Sequence, residues 1–336
     1  MDQVADEVTK PIIVTPTIVT PTRVFIVPYR NRLQQKFFFC QQMNFILEEQ
    51  TDYEILFIHQ IDSRPFNRGA MKNIGFLTMK EKYPDTYKDI TFIFNDVDTL
   101  PFHKLFDYQT VKGTVKHYYG FDSALGGIVV IKGQDFELVN GYPSYWGWGM
   151  EDACLQNRCL YNKIKIDRSH FYPIGSPEIL QLFDGVERLV SPKDPQRMVQ
   201  DRGIDGLKTI HKLTYTIDKE STNPADNKYI VANNYLFYVN VSSFMTLVHF
   251  ESDQYHQYDL REPVRKVSFP DHGKLVNPTT FVNSPTAWKN IPTMPSSTPN
   301  PSQQQGQVNP NPFSQQANRN YPVRASKSVN IGMGRF

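Results

Sequence analysis

Two short runs carry carboxylates in patterns that chemistry can use. FNDVD (94–98) places Asp96 and Asp98 two residues apart, directly after an apolar run. In an extended chain that spacing points both side chains the same way. Such a pair suits a hard divalent cation and a nucleotide diphosphate. It reads equally as a strand-ending turn, where Asp is common. WGWGMED (146–152) sets two tryptophans among glycines ahead of Glu151 and Asp152. Glycines allow a tight loop that turns indole faces outward. An aromatic shelf beside two carboxylates is what sugar binding with general-base chemistry requires. Acidic residues at a helix start also complement the helix dipole, which is a purely structural use. Two basic runs accompany these. PYRNR (28–32) follows an apolar run, and FNRGAMKNIGF (66–76) puts Arg68 at a helix start, where it meets a phosphate or simply solvent.

These side chains need a scaffold, and the pattern supplies one. Residues 23–28 (RVFIVP), 54–59 (EILFIH) and 90–94 (ITFIF) are short apolar runs rich in β-branched residues. Between them, 33–50 and 68–83 show apolar residues at helical spacing. Strand, helix, strand, helix, strand at this spacing predicts right-handed crossovers and a buried parallel sheet. Further strands are expected at 127–131, 163–166 and 235–241. In such sheets ligands bind beyond the carboxyl ends of the strands, where PYRNR and FNDVD fall.

The chain has 336 residues, 40% of them hydrophobic, and a formal net charge of +2. That is ordinary globular composition and argues against a nucleic-acid binder. The charge is unevenly spread: residues 272–336 hold six Lys or Arg and no Asp or Glu. Three cysteines make no disulfide framework and fit a reducing compartment. No apolar run is long enough to span a membrane, and 1–10 lacks a signal-peptide pattern, so a soluble, cytoplasmic-type protein is expected. Residues 1–22, with a doubled IVTPT unit, read as an extended Thr/Pro-rich arm, 23–271 as one domain, and 272–336 as a disordered basic tail rich in Pro, Asn, Gln and Ser. Its charge would favour an acidic partner.

Taken in order, PYRNR, FNRGAMKNIGF, DVDTLP, LGGIVVIKGQDF, NGYPSYWGWGMED, PKDPQR and GIDGL resemble the β-1,4-galactosyltransferase family, glycosyltransferase family 7. FIHQIDSRPFNRG is most similar to the xylosyl-protein branch. The resemblance covers about residues 23–215. It implies a GT-A nucleotide-sugar transferase fold, a Rossmann-like, mostly parallel sheet with flanking helices. It also implies a metal-dependent inverting transfer of a hexose or N-acetylhexosamine from a UDP-sugar to a glycan or glycoconjugate hydroxyl, with Mn²⁺ or Mg²⁺ as cofactor. By that resemblance Pro28, Arg30 and Arg32 lie at the uridine pocket, and Phe66 and Arg68 contact the nucleotide. Asp96 and Val97 lie at the ribose or metal shell, and Asp98 binds the metal. Trp148 and Gly149 lie between donor and acceptor, Glu151 positions the sugars, and Asp152 is the catalytic base.

The sequence departs from the family in four places. Ala153 stands where an acceptor-binding carboxylate is usual. The segment 176–197 contains no His, so Asp184 is expected as the second metal ligand, with Gln181 and Glu187 as the other oxygen donors. Ala124 stands where a bulky residue commonly limits the donor sugar. The sequence shows neither the family's anchor nor its disulfide cysteines, so a soluble transferase of the cytoplasm is expected, such as a virus glycosylating its own products would use. A catalytically inactive sugar- or nucleotide-binding protein on the same fold is the alternative.

Overall fold

The structure, a computed structural model, describes residues 20–183, 185, 187–219, 235–252 and 255–259, with the backbone of 267–268 and 275–276. Residues 1–19, nearly all of the expected tail, and Asp184 lie outside the described residues.

The chain opens β1 (Arg23–Tyr29), α1 (Leu33–Ile46), β2 (Tyr53–Gln60), α2 (Arg68–Lys82) and β3 (Thr91–Asn95). A short β4 (Thr99–Pro101) precedes β5 (Thr114–Gly120), β6 (Ile128–Lys132), α3 (Gly133–Leu138) and α4 (Glu151–Tyr161). Then come β7 (Lys165–Asp167), β8 (Tyr172–Pro173), β9 (Ile179–Gln181), β10 (Glu187–Val190) and α5 (Asp194–Val199). β11 (His211–Asp218), β12 (Leu236–Met245) and β13 (His256–Asp259) follow.

The main sheet runs β11-β12-β2-β1-β3-β6-β5-β7, with β8 beside β5. β12, β2, β1 and β3 are parallel neighbours, while β6 is antiparallel to both β3 and β5. The sheet is mixed and mostly parallel. β1, β2 and β3 are buried almost throughout because helices cover both faces. Ile26, Ile58 and Phe92 pack toward α2 with Met71 and Phe76. Phe25, Val27 and Phe57 pack the other way, with Phe39 and Met43 of α1.

Boundaries differ modestly from expectation. α1 stops at Ile46 rather than 50, and β7 starts at Lys165. β5 and β11 escape an apolar-run criterion. β11 is a sheet edge whose residues are mostly exposed, so its sequence HKLTYTID need not be apolar. All three cysteines are buried and free. Among the described residues, no helix is long and apolar enough to cross a membrane.

Candidate active site

Asn67 sets the start of α2. Its side chain accepts a hydrogen bond from the Ala70 backbone N–H at 2.9 Å, the usual N-cap bond. Its Nδ2 donates to the Ser144 carbonyl at 3.0 Å, and its own N–H donates to Gln60 Oε1 at 2.9 Å. One buried amide therefore ties the end of β2, the first turn of α2 and the loop before α4. Asn73, two turns on, donates to the Tyr142 carbonyl at 2.7 Å and accepts from the Tyr142 N–H at 2.9 Å. α2 is thus fixed against residues 142–144, and Arg68 projects from its first position.

Beyond β3, Asn95 Nδ2 donates to the carbonyls of Asp96 and Thr99 at 2.8 and 2.9 Å, and the Asp96 N–H reaches the Gly127 carbonyl at 3.1 Å. The DVD turn is rigid. Arg68 donates to Asp96 Oδ2 at 3.1 Å, and Thr99 Oγ1 donates to Asp98 Oδ1 at 3.2 Å. Burial, reinforced by the charge of Asp96, raises the pKa of Asp98, while Arg68 and Arg32 oppose the rise. Burial lowers the pKa of Arg188 and Arg32, and the neighbouring guanidinium charges add to this. Three arginines crowd one carboxylate.

The tryptophan loop divides its labour. Trp146 is buried, stacks on Phe244 with ring centroids 5.5 Å apart, and donates its indole N–H to the Val248 carbonyl at 2.6 Å. It is a core residue, not half of an aromatic shelf. Trp148 alone faces the clefts, its N–H held by the Leu189 carbonyl at 2.7 Å. The loop around them uses positive φ at Gly147 (126°) and Gly149 (101°), which glycine makes accessible, and at Met150 (73°), a non-glycine residue in the left-handed region.

α4 begins at Glu151. Glu151 is buried and its Oε2 has no hydrogen-bond partner among the described residues. Burial and the adjacent Asp152 push its pKa up to about 7. Asp152 Oδ1 accepts from Lys72 Nζ at 2.9 Å, and its carbonyl accepts from the Leu125 N–H at 3.0 Å. A Cβ at Gly126 would lie 2.5 Å from Asp152 Oδ2, so only glycine there admits this carboxylate. Gly126→Ala is therefore expected to displace the carboxylate and cut turnover by ~10²-fold, the scale of a ~1 Å misplacement. Steady-state rates alongside thermal melting check this, and an unchanged rate would show that the carboxylate is not needed at this spot.

Two clefts meet here. One, of about 460 Å³, is lined by Pro28, Arg30, Arg32, Phe66 and Val97. The other, of about 350 Å³, is lined by Ala124, Gly126, Gly149 and Asp152, with Tyr119 and Phe121. Arg68, Asp96, Asp98, Trp148, Glu151 and Arg188 line both. Every expected site residue except Asp184 is gathered at these clefts. Gln181 lines the second cleft, with its Oε1 accepting from the Tyr119 hydroxyl at 2.6 Å, and the exposed Glu187 lines the first.

A divalent cation would find hard oxygen donors at the junction. Asp98 offers a carboxylate, and Asp96 Oδ1 is buried with no hydrogen-bond partner among the described residues. No group of three His, Cys, Asp or Glu residues gathers among the described residues. The remaining coordination would then fall to phosphate oxygens and water, the usual construction of a metal–nucleotide site. Mn²⁺ is accordingly expected to bind the free protein weakly and much more tightly with UDP present. Calorimetric titration with and without UDP measures this, and equal affinities would show that protein ligands suffice.

Four residues of the site were given no role from the sequence, although Lys72 and Asp194 sit within the matched segments FNRGAMKNIGF and PKDPQR. Lys72 reads as an ordinary helical lysine. Arg188 sits in the unremarkable ERLV run. His256 joins the cleft only because β13 pairs with β10, opposite Val190. Asp194 is buried at the start of α5, with Oδ2 unpartnered among the described residues.

Known proteins resemble this chain in sequence and fold. The family model described as the N-terminal region of glycosyl transferase group 7 matches residues 12–110. A second, described as the N-terminal domain of galactosyltransferase, matches residues 109–179. Beta-1,4-galactosyltransferase 4 of Rattus norvegicus is 33% identical over 156 residues, 43% of this chain and 44% of that protein. Xylosylprotein 4-beta-galactosyltransferase of Caenorhabditis elegans is 28% identical over 209 residues, 57% of this chain and 70% of that protein. The chain thus spans less than half the length of the rat relative. The catalytic domain of Drosophila beta1,4galactosyltransferase 7, solved with xylobiose, superposes with a TM-score of 0.50 at 20% identity, covering 66% of this chain and 94% of that one. That likeness makes the fold GT-A. With matched residues running from 12 to 179, half of the sequence, and the matched motifs converging on one pair of clefts, the chain belongs to glycosyl transferase group 7, the β-1,4-galactosyltransferase family.

Proposed function

We propose that the chain is an inverting glycosyltransferase that takes a UDP-sugar and passes its hexose or N-acetylhexosamine to a glycan hydroxyl. The observation that carries this reading is the junction of a basic cleft with a carboxylate-bearing one at Arg68, Asp98, Trp148 and Glu151. The basic cleft, of about 460 Å³ and lined by Arg30, Arg32, Arg68 and Arg188, has the volume and charge for a nucleotide. Arg32, Arg68 and Arg188 repel one another as they stand, and a diphosphate would relieve that repulsion. A bound Mn²⁺ or Mg²⁺ would supply Lewis-acid stabilisation of the leaving diphosphate, held by Asp98 with Asp96 beside it. Trp148 offers its indole face to the sugars. Asp152 accepts the proton of the attacking hydroxyl, which a weak nucleophile needs. Attack opposite the leaving group inverts the anomeric centre. A screen of UDP-sugars with Mn²⁺, followed by an acceptor array, tests the reading. The absence of UDP release from every donor would favour the non-catalytic binding protein instead, a reading that Ala153 and the lack of His in 176–197 support.

Ala124 bears on the donor. It lines the cleft beside Gly126, and its small side chain leaves room against the sugar. UDP-GalNAc or UDP-GlcNAc is expected to serve at least as well as UDP-galactose. Pocket size discriminates by about 1–3 kcal/mol per methylene-sized step, so the preference should be graded. Ala124→Tyr should move the ratio toward the unsubstituted hexose. Direct competition between UDP-GalNAc and UDP-galactose reads the ratio. If it does not move, Tyr119 or Phe121, which line the same cleft, already set the limit.

A further inference from the structure

A buried ammonium stands directly behind the carboxylate assigned as base. Lys72 lies one turn after Arg68 in α2, so both side chains leave the same face of the helix. The Lys72 side chain is 2% exposed, its Nζ is 2.9 Å from Asp152 Oδ1, and it stands 4.3 Å from the centre of the Tyr142 ring. Tyr142 is in turn fixed to α2 by both hydrogen bonds of Asn73. A buried ion pair is a poor device for stability, because desolvation offsets most of its attraction. Its position suggests another use. Asp152 Oδ1 is tied to Lys72, whereas Oδ2 lies against Gly126, in the place a Cβ would take, where both residues line the second cleft.

Resting on the transferase reading, we infer that Lys72 is a positioning residue, which holds Asp152 through Oδ1 and so leaves Oδ2 as the proton-accepting atom. As the acceptor oxygen bonds to the anomeric carbon, the bond from that carbon to the diphosphate breaks and its electron pair leaves with the diphosphate. The hydroxyl proton passes to Oδ2, and Lys72 exchanges no proton. The charged groups facing Asp152 are Lys72 and Arg68 from α2 and Glu151 from its own helix, with the Tyr142 phenol beside them. Lys72 is the one that hydrogen-bonds the carboxylate. Arg68 serves Asp96, so a single helix turn connects the nucleotide side to the base.

The test is Lys72→Met and Lys72→Ala, assayed in the full chain with a UDP-sugar and acceptor. Transfer kcat should fall by ~10²-fold while KM for the donor and affinity for UDP stay within about twofold. Ethylammonium should restore transfer to Lys72→Ala, and tetramethylammonium, which carries charge but no N–H, should not. An unchanged kcat, or a loss that tetramethylammonium restores as well as ethylammonium does, overturns the inference. UDP affinity falling in parallel with kcat in both variants also overturns it, because Lys72 would then be a structural cation. Absence of transfer by the wild-type chain would strike instead at the transferase reading, and the role of Lys72 would fall with it.

Discussion

Asp152→Asn is expected to keep UDP-sugar binding and lose transfer by ~10²–10⁴-fold, the contribution of a positioned general base. The amide has the shape of the carboxylate, and its oxygen can still accept the Lys72 hydrogen bond on the Oδ1 side. Its nitrogen then occupies the Oδ2 position against Gly126, where a group that already carries protons cannot take another. The backbone bond from Leu125 to the Asp152 carbonyl does not involve the side chain, so α4 should stay in place. Isothermal titration of the donor, set beside initial rates, separates the two roles. Donor affinity collapsing together with the rate would assign Asp152 to binding rather than to proton transfer.

Asp98→Asn is expected to cost at least ~10²-fold in metal-stimulated turnover, the scale seen when developing charge loses its preorganised partner. Asp98 is the carboxylate around which Arg32, Arg68 and Arg188 gather. Removing its charge leaves those guanidiniums uncompensated, which should hold or tighten UDP affinity while the metal response disappears. That opposite movement of the two readouts is the useful feature. Stimulation by saturating Mn²⁺ at the wild-type level would show that Asp98 is not a ligand. A large loss of UDP affinity would show that its negative charge organises the arginines.

The carboxylate pairs, the basic runs and the strand–helix alternation were legible because each depends on neighbours in sequence. A buried parallel strand must be apolar along its length, so RVFIVP, EILFIH and ITFIF could hardly be read otherwise. Arg68 at a helix start, Asp96 and Asp98 past a strand end, and Glu151 and Asp152 opening α4 follow from local signals too. The two tryptophans show where that reading fails. WGWG presents them as equivalents, yet one stacks in the core on Phe244 and only the other reaches the clefts, because their partners come from β12 and β10, far along the chain.

The sequence by itself determined the family and the order of the first five elements, and nearly all the site residues it singled out line the clefts. Tertiary structure alone decided what those residues face. Lys72 is an undistinguished helical lysine until α2 docks on residues 142–144, which brings its ammonium within hydrogen-bonding distance of a carboxylate 80 positions later. Arg188 and His256 enter the cleft only through the antiparallel pairing of β10 with β13. Gly126 matters because a carboxylate from another element fills the place of its missing side chain. Charge compensation and close packing act through space over a few ångströms, and the contacts that set them here join residues tens of positions apart, so they carry no periodic trace in the chain.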